Sequence, residues 1–182
     1  MLTKIALGIG AILVLLVIAI ATRPSEFAVE RSATMNAPAS LIYPHIAEPR
    51  AMEAWSPFSN MDPELQKNTY QGPASGVGAM TSWEGGQAGE GRLTVVAVQP
   101  DREVDMKLEF RKPMQATNRA VFTLVPAGDA TTVTWRLEGS NGFVSKAIGM
   151  FMDMDAMVGG QFEKGLGALK VLVEASAAAP KD

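Results

Sequence analysis

Beyond about residue 100 the chain alternates. Val104, Met106, Leu108 and Phe110 share one side of REVDMKLEFRKP, opposite Glu103, Asp105, Lys107 and Glu109. Period two is the mark of a strand buried on one face and wet on the other. Val133, Trp135 and Leu137 oppose Thr132, Thr134 and Arg136 in the same way. A first strand is expected at FAVERSATM, 27–35, with Phe27, Val29 and Arg31 opposite Ala28, Glu30 and Ser32. LQKNTYQG, GVGAMTSWEG, GEGRLTVVAVQP and MQATNRAVFTLVPAG read as further strands. Gly72-Pro73, Gly85-Gly86, Pro100-Asp101, Pro113 and Gly128-Asp129 punctuate them as turns. Connections this short favour an antiparallel meander over parallel βαβ units.

Two regions break the alternation. After the first strand, Asn36 is a candidate N-cap and Pro38 falls near a first helical turn. Pro44, Pro49 and Pro57 forbid one long helix there, so two short ones are expected, about 39–46 and 49–55. From Phe143 the period becomes helical: Phe151, Met154, Val158, Phe162, Leu166, Leu169 and Val173 step by three or four. This predicts a short helix over 144–151 and then a long C-terminal helix. The fold class is therefore α+β. A curved antiparallel sheet of six to seven strands must cover its apolar face with the one large helix available. Sheet and helix curve differently, and the gap between them is a natural hydrophobic pocket.

The N-terminus is a separate object. Ile5 to Ala21 contains no charged side chain, with Lys4 before it and Arg23-Pro24 after it. As a helix of about 17–20 residues it rises roughly 26–30 Å, close to the hydrocarbon thickness of a bilayer. Ala19-Ile20-Ala21 also imitates a signal-peptide cleavage site, but the apolar run exceeds a usual core of about 7–15 residues. Length favours an uncleaved anchor; the cleaved alternative stays open. The expected organisation is a transmembrane anchor over 1–23, a ligand-binding domain over 24–176 and a polar tail over 177–182. A single-pass inner-membrane protein with its domain on the periplasmic side is expected, although Lys4 opposes Arg23 and Arg31 and specifies orientation weakly.

Composition narrows the chemistry. The 182 residues carry a formal net charge of −3, no Cys and a single His. Disulfide frameworks, zinc ribbons and cysteine nucleophiles are excluded. His45 alone supports neither a His-rich metal site nor a Ser-His-Asp triad. Basic clusters suited to nucleic acid are missing. GPASGVG leads into a strand rather than a helix, which excludes a phosphate loop. No cofactor and no metal are expected.

Several strings, VERSATMNAP, EAWSPFSNMDP, GVGAMTSWEG with GEGRL, and MDMDAMVGGQFEKGLGALK, resemble the START-like helix-grip superfamily, also called SRPBCC. The resemblance is to its bacterial polyketide cyclase/dehydrase-like branch and covers 27–175. It implies a deep, mostly apolar cavity under the long helix, holding lipids, polyketides or other hydrophobic molecules. Wall candidates are Trp55, Phe58, Met80, Trp83, Met106, Leu108, Phe122, Trp135, Met154, Met157 and Phe162, with Asn118 as a polar group that orients a ligand. Cyclases of this kind use polar residues inside the cavity, and no string here identifies those positions.

Other chemistry-bearing residues have plainer readings. Glu84, Glu90 and Arg92 surround a Gly-rich hairpin and suit a solvated salt bridge. Arg119 is expected to face solvent. Asp153 and Asp155, at i and i+2, lie about 200° apart on a helix, so they cannot form a carboxylate dyad there; one of them suits a helix cap. Gly159, Gly160, Gly165 and Gly167 each cost about 1 kcal/mol against Ala within a helix, so close sheet approach or open ligand space is expected around them. Three functions fit: membrane-tethered binding of a hydrophobic molecule or lipid, a cyclase or dehydrase working in the same cavity, and an envelope interaction protein whose cavity its own side chains fill.

Overall fold

A computed structural model describes residues 2–59, 67–85, 89–150 and 153–179. Helix α1 (Leu2–Ala21) is followed by β1 (Glu26–Met35), α2 (Ala39–Ala47) and a 3-10 turn over Ala51–Ala54. Then come β2 (Lys67–Gln71), β3 (Met80–Glu84), β4 (Glu90–Gln99), β5 (Glu103–Lys112), β6 (Ala116–Ala127) and β7 (Ala130–Ser140). Two helices, α3 (Phe143–Ile148) and α4 (Met154–Ala178), end the chain. The seven strands form one antiparallel sheet in the order β1-β7-β6-β5-β4-β3-β2, so the meander closes by setting the first strand beside the last. The expected helix-grip architecture is what the chain adopts.

Local details differ from expectation where a tertiary contact intervenes. Asn36 does not cap α2: the cap position is Pro38, with no side-chain bond, and the Asn36 backbone N–H donates to Glu174 Oε1 at 2.7 Å. The second small helix is only a 3-10 turn. Helix α3 begins at Phe143, and the expected Phe151 lies outside the described residues. Helix α4 continues through Ala178, into the stretch expected as tail.

Alternation sets the two faces of the sheet. Inward are Met35, Val133, Phe122, Val104, Met106 and Val95, all buried, with Ile42 and Ile46 of α2 and Leu166, Leu169 and Val173 of α4 packed in the same core. Outward, an ion-pair chain crosses four strands. Glu30 meets Arg136 at 3.1 Å, Arg136 meets Glu138 at 3.1 Å, Glu138 meets Arg119 at 3.0 Å, and Arg119 meets Asp105 at 2.8 Å.

One charged side chain points the other way. Arg31 faces α4, its Nε 2.8 Å from Glu163 and its Nη2 2.9 Å from Asp155. Residues 155, 159 and 163 are four apart and so share one helix face. The middle position is Gly159, where a Cβ would lie 2.2 Å from Arg31 Nη2. Glycine leaves the guanidinium room to cross beneath the helix between its two carboxylates. Asp153 caps α4, its Oδ1 accepting from the Ala156 amide at 3.0 Å. The two aspartates thus divide the work of starting and docking the same helix.

The outer face generates a pH prediction. Glu109 accepts from Arg92 at 2.6 Å and meets Lys107 at 3.0 Å. Those hydrogen bonds, Arg92's first, hold its carboxyl down at about 2. A glutamate in an unfolded chain titrates near 4.3. The pairing therefore stabilises the fold fully above that value, and its contribution is lost as pH falls through about 2. Thermal melts recorded from pH 6 down to pH 2 should show a shallower acid-side decline in Glu109→Gln than in the native chain; parallel declines would refute the pairing.

Candidate ligand-binding site

The space between sheet and α4 is organised around Trp135. Its ring stacks on Phe162 of α4, with centroids 4.1 Å apart and planes 8° from parallel. Phe122 lies 4.9 Å away, Trp55 5.6 Å and Phe58 6.0 Å, the last two edge-on. Five of the expected wall residues, Trp55, Phe58, Phe122, Trp135 and Phe162, therefore form one aromatic cluster. Pro57 pre-sets the turn that folds the 55–58 segment over the sheet. Trp55 Nε1 donates to the His45 carbonyl at 2.9 Å, which makes this corner a packed one. His45 contributes its backbone to that contact.

The two indoles in the cluster are not equivalent. Trp135 is 5% exposed, and its Nε1 has no acceptor among the described residues. An orphaned buried donor costs about 1–3 kcal/mol. It is a place where an acceptor oxygen from outside the chain would be stabilised.

Burial is graded along the inner face. At the α2 end, Thr131, Val133, Val104 and Met35 are inaccessible. Toward the opposite end Leu108, Phe110, Asn118 and Leu137 are only partly covered, as are Phe27, Leu93 and Trp83. The expected wall residues Met106, Leu108 and Asn118 line successive steps of this gradient. Asn118 does face inward: it pairs across the sheet with Gly139, and a Cβ on Gly139 would stand 2.1 Å from Asn118 Oδ1. Trp83 closes the far side, its ring 5.8 Å from Phe110. Met80 does not share that wall. It pairs with Thr94 whereas Trp83 pairs with Gly91, so strand alternation sets the two on opposite faces. Met154 and Met157 stand exposed on the first turns of α4 rather than under it.

Two concavities lie away from the aromatic cluster. An open groove of about 820 Å³ runs along the sheet past Phe27, Asn118 and Gly139, and its Asp105, Lys107, Arg119, Arg136 and Glu138 are all engaged in ion pairs. Arg119 faces outward as expected. A smaller cavity of about 250 Å³ is lined by Glu48, Arg50, Tyr70 and Met80. No residue of α4 lines either one. The centre under α4 is filled by the aromatic rings, and the inner face is least covered at the end that carries Leu108, Phe110 and Asn118.

Sequence reading missed the polar corner beside the smaller cavity. Tyr70 donates to Glu53 Oε1, Asn68 Nδ2 reaches the same oxygen at 3.4 Å, and the Arg50 guanidinium lies 4.7 Å from the centre of the Tyr70 ring. Burial, then the bond to Glu53, pushes the Tyr70 hydroxyl up to about 12, so it stays protonated and donating. The expected hairpin bridge is also repartnered: Arg92 binds Glu109, and Glu90 binds Lys112 at 2.5 Å.

Comparison with known proteins agrees with this geometry. The family described as polyketide cyclase / dehydrase and lipid transport matches residues 26–174. The chain belongs to that family. Among solved structures, a protein of Thermobifida fusca shares 20% identity at a TM-score of 0.60, over 81% of this chain and 93% of that one. Protein CV1439 of Chromobacterium violaceum shares 15% at 0.59, over 81% and 96%. Protein MLL2253 of Mesorhizobium loti shares 18% at 0.59, over 82% and 98%. At these identities the likeness is one of fold. No curated protein matches the chain.

The glycines of α4 give opposed predictions. A Cβ at Gly165 would sit 2.9 Å from Pro57 Cδ and 3.0 Å from Trp135 Cζ3, whereas Gly160 and Gly167 have nothing within 4 Å. Gly165→Ala should lose about 1–3 kcal/mol by overpacking the cluster. Gly160→Ala and Gly167→Ala should each gain up to about 1 kcal/mol of helix stability. Denaturant unfolding of the three variants checks the difference in sign.

Proposed function

We propose that this chain is a membrane-tethered binding domain for a hydrophobic small molecule or lipid, with residues 1–23 as tether and 24–176 as the domain. The observation that carries the reading is the unpartnered Trp135 Nε1 inside an aromatic cluster. A mostly apolar ligand with one carbonyl, ester or hydroxyl oxygen would enter from the half-covered end. It would displace Phe58 from the cluster edge and accept from the indole. Asn118, further out on the same face, would hold a second polar group. Family membership supports the reading, because lipid transport is part of the family's description. For the tether, Thr3–Ala21 is a helix long and apolar enough to cross a membrane.

Burial of an apolar ligand is stabilising at roughly 25 cal/mol per Å² removed from water, before ordering costs. The indole bond should add about 1 kcal/mol, roughly a fivefold change in affinity. Native mass spectrometry of the full chain in detergent, against a panel of lipids and polyketide-like aromatics, should find a retained ligand. Trp135→Phe should weaken its retention by that factor. If no panel member binds either protein, the aromatic cluster is simply a filled core and the interaction-protein reading replaces this one.

A second reading, catalysis of the cyclase or dehydrase type, draws on the Glu53–Tyr70 pair beside the 250 Å³ cavity. Tyr70, which keeps its proton, would turn its hydroxyl from Glu53 to a substrate carbonyl and polarise it by hydrogen bonding. Under that reading Tyr70→Phe abolishes turnover of a polyketone substrate while ligand retention persists; under the binding reading both proteins leave the ligand unchanged.

A further inference from the structure

The end of α1 does not stand free of the domain. Most of that helix is exposed, but Ile20 in its last turn is buried, and Arg23 Nη1 donates to the Gly149 carbonyl at 3.2 Å. The Asn141 amide donates back to the Ser25 carbonyl, closing the chain on both sides of α3. Helix α3 is thus packed against the point where α1 joins the domain. Its own apolar side chains face outward: Phe143 is 52% exposed, Val144 56% and Ile148 38%.

Length gives this placement its meaning. At 20 residues α1 rises about 30 Å, which a bilayer's hydrocarbon core uses in full. Its last turn then lies at the boundary between acyl chains and headgroups. Whatever touches that turn lies at the same depth. Exposed apolar groups on α3 would sit in that boundary rather than in water, with Lys146 and Arg23 suited to the headgroup layer.

The same end of the molecule is where the inner face is half covered. Glu26 pairs with Ser140 at the rim, and α3 starts three residues beyond Ser140. Resting on the tethered-binding reading above, we infer that α3 and the first turn of α4, with Met154 and Met157, form an interfacial collar beside α1. The open end of the site then faces lipid, and the ligand is a molecule taken from the membrane phase of the leaflet in which the collar sits. A second copy of this chain docking through α3 is the competing occupant.

Because the chain has no cysteine, one introduced residue can be labelled uniquely. Nitroxide labels on Val144→Cys, Ile148→Cys, Leu13→Cys and Val77→Cys would be compared in the full chain reconstituted in phosphatidylcholine/phosphatidylglycerol nanodiscs. Leu13 lies mid-span in α1, and Val77 is exposed in the β2–β3 connection at the far end of the sheet. Collision with oxygen relative to a water-soluble nickel chelate should be several-fold higher at 144 and 148 than at 77, approaching that at 13. Labels at 144 and 148 that match 77 while 13 reads as lipid would overturn the collar alone. Strong spin–spin broadening at 144, with both collision agents excluded, would overturn it in favour of a dimer. An aqueous signal at 13, or a chain lacking residues 1–21, would remove the tether and the collar together, leaving ligand retention by the domain to stand on its own measurement.

Discussion

One sheet is too wide for one helix. Seven strands spaced about 4.8 Å apart span close to 30 Å, and a helix with its side chains covers about 10–12 Å. Helix α4 packs over β1 and β7, held there by Arg31 and by the Trp135–Phe162 stack. The inner faces of β3, β4 and β5 must therefore find other cover. Toward the end where α2 packs, Val95, Val104 and Met106 are buried. At the other end the 55–58 segment reaches only as far as the aromatic cluster, so Leu93, Leu108, Phe110 and Trp83 stay partly open. The half-covered end of the inner face follows from that shortage of cover.

Arg31 shows how the helix is steered rather than merely attracted. Apolar burial is non-directional, and a long helix on a curved sheet can slide along it. A guanidinium fixed between carboxylates one turn to either side of Gly159 selects a single register. It needs glycine at the crossing point, and Gly165, about one and two-thirds turns on, admits Pro57 and the Trp135 ring. The other two glycines of the helix face open space. Four similar residues in sequence thus divide into two that permit close approach and two with no such contact.

What was legible in the chain was whatever depends on local period. Alternation identifies the strands and their inward residues, so Phe122, Trp135 and Asn118 fall on one face, and the spacing of Asp153 and Asp155 argues against a dyad. Pairings between distant elements were not legible. Glu53 and Tyr70 are 17 residues apart and meet only because β2 forms the far edge of the sheet, beside the 3-10 turn. Met80 and Trp83 belong to one strand, yet their odd separation divides them between faces, a rule that a list of bulky apolar residues overlooks. Asn36 resembles a cap because capping is a local habit, but α2 starts at Ala39 with Pro38 in the cap position, two residues further on. The orphaned Trp135 nitrogen has no signature in sequence, since an indole with a partner and one without read alike.

The connection between α1 and β1 is four residues, 22–25. Fully extended it reaches about 14 Å, and the bonds at Arg23 and Ser25 shorten even that. A lipid carrier that works alone between two bilayers needs slack many times greater. If α1 spans a bilayer, a domain leashed this closely would search only the patch of surface around its own foot. Any ligand of such a tethered domain would change hands by collision with whatever diffuses past, the geometry of a docking station and not of a ferry.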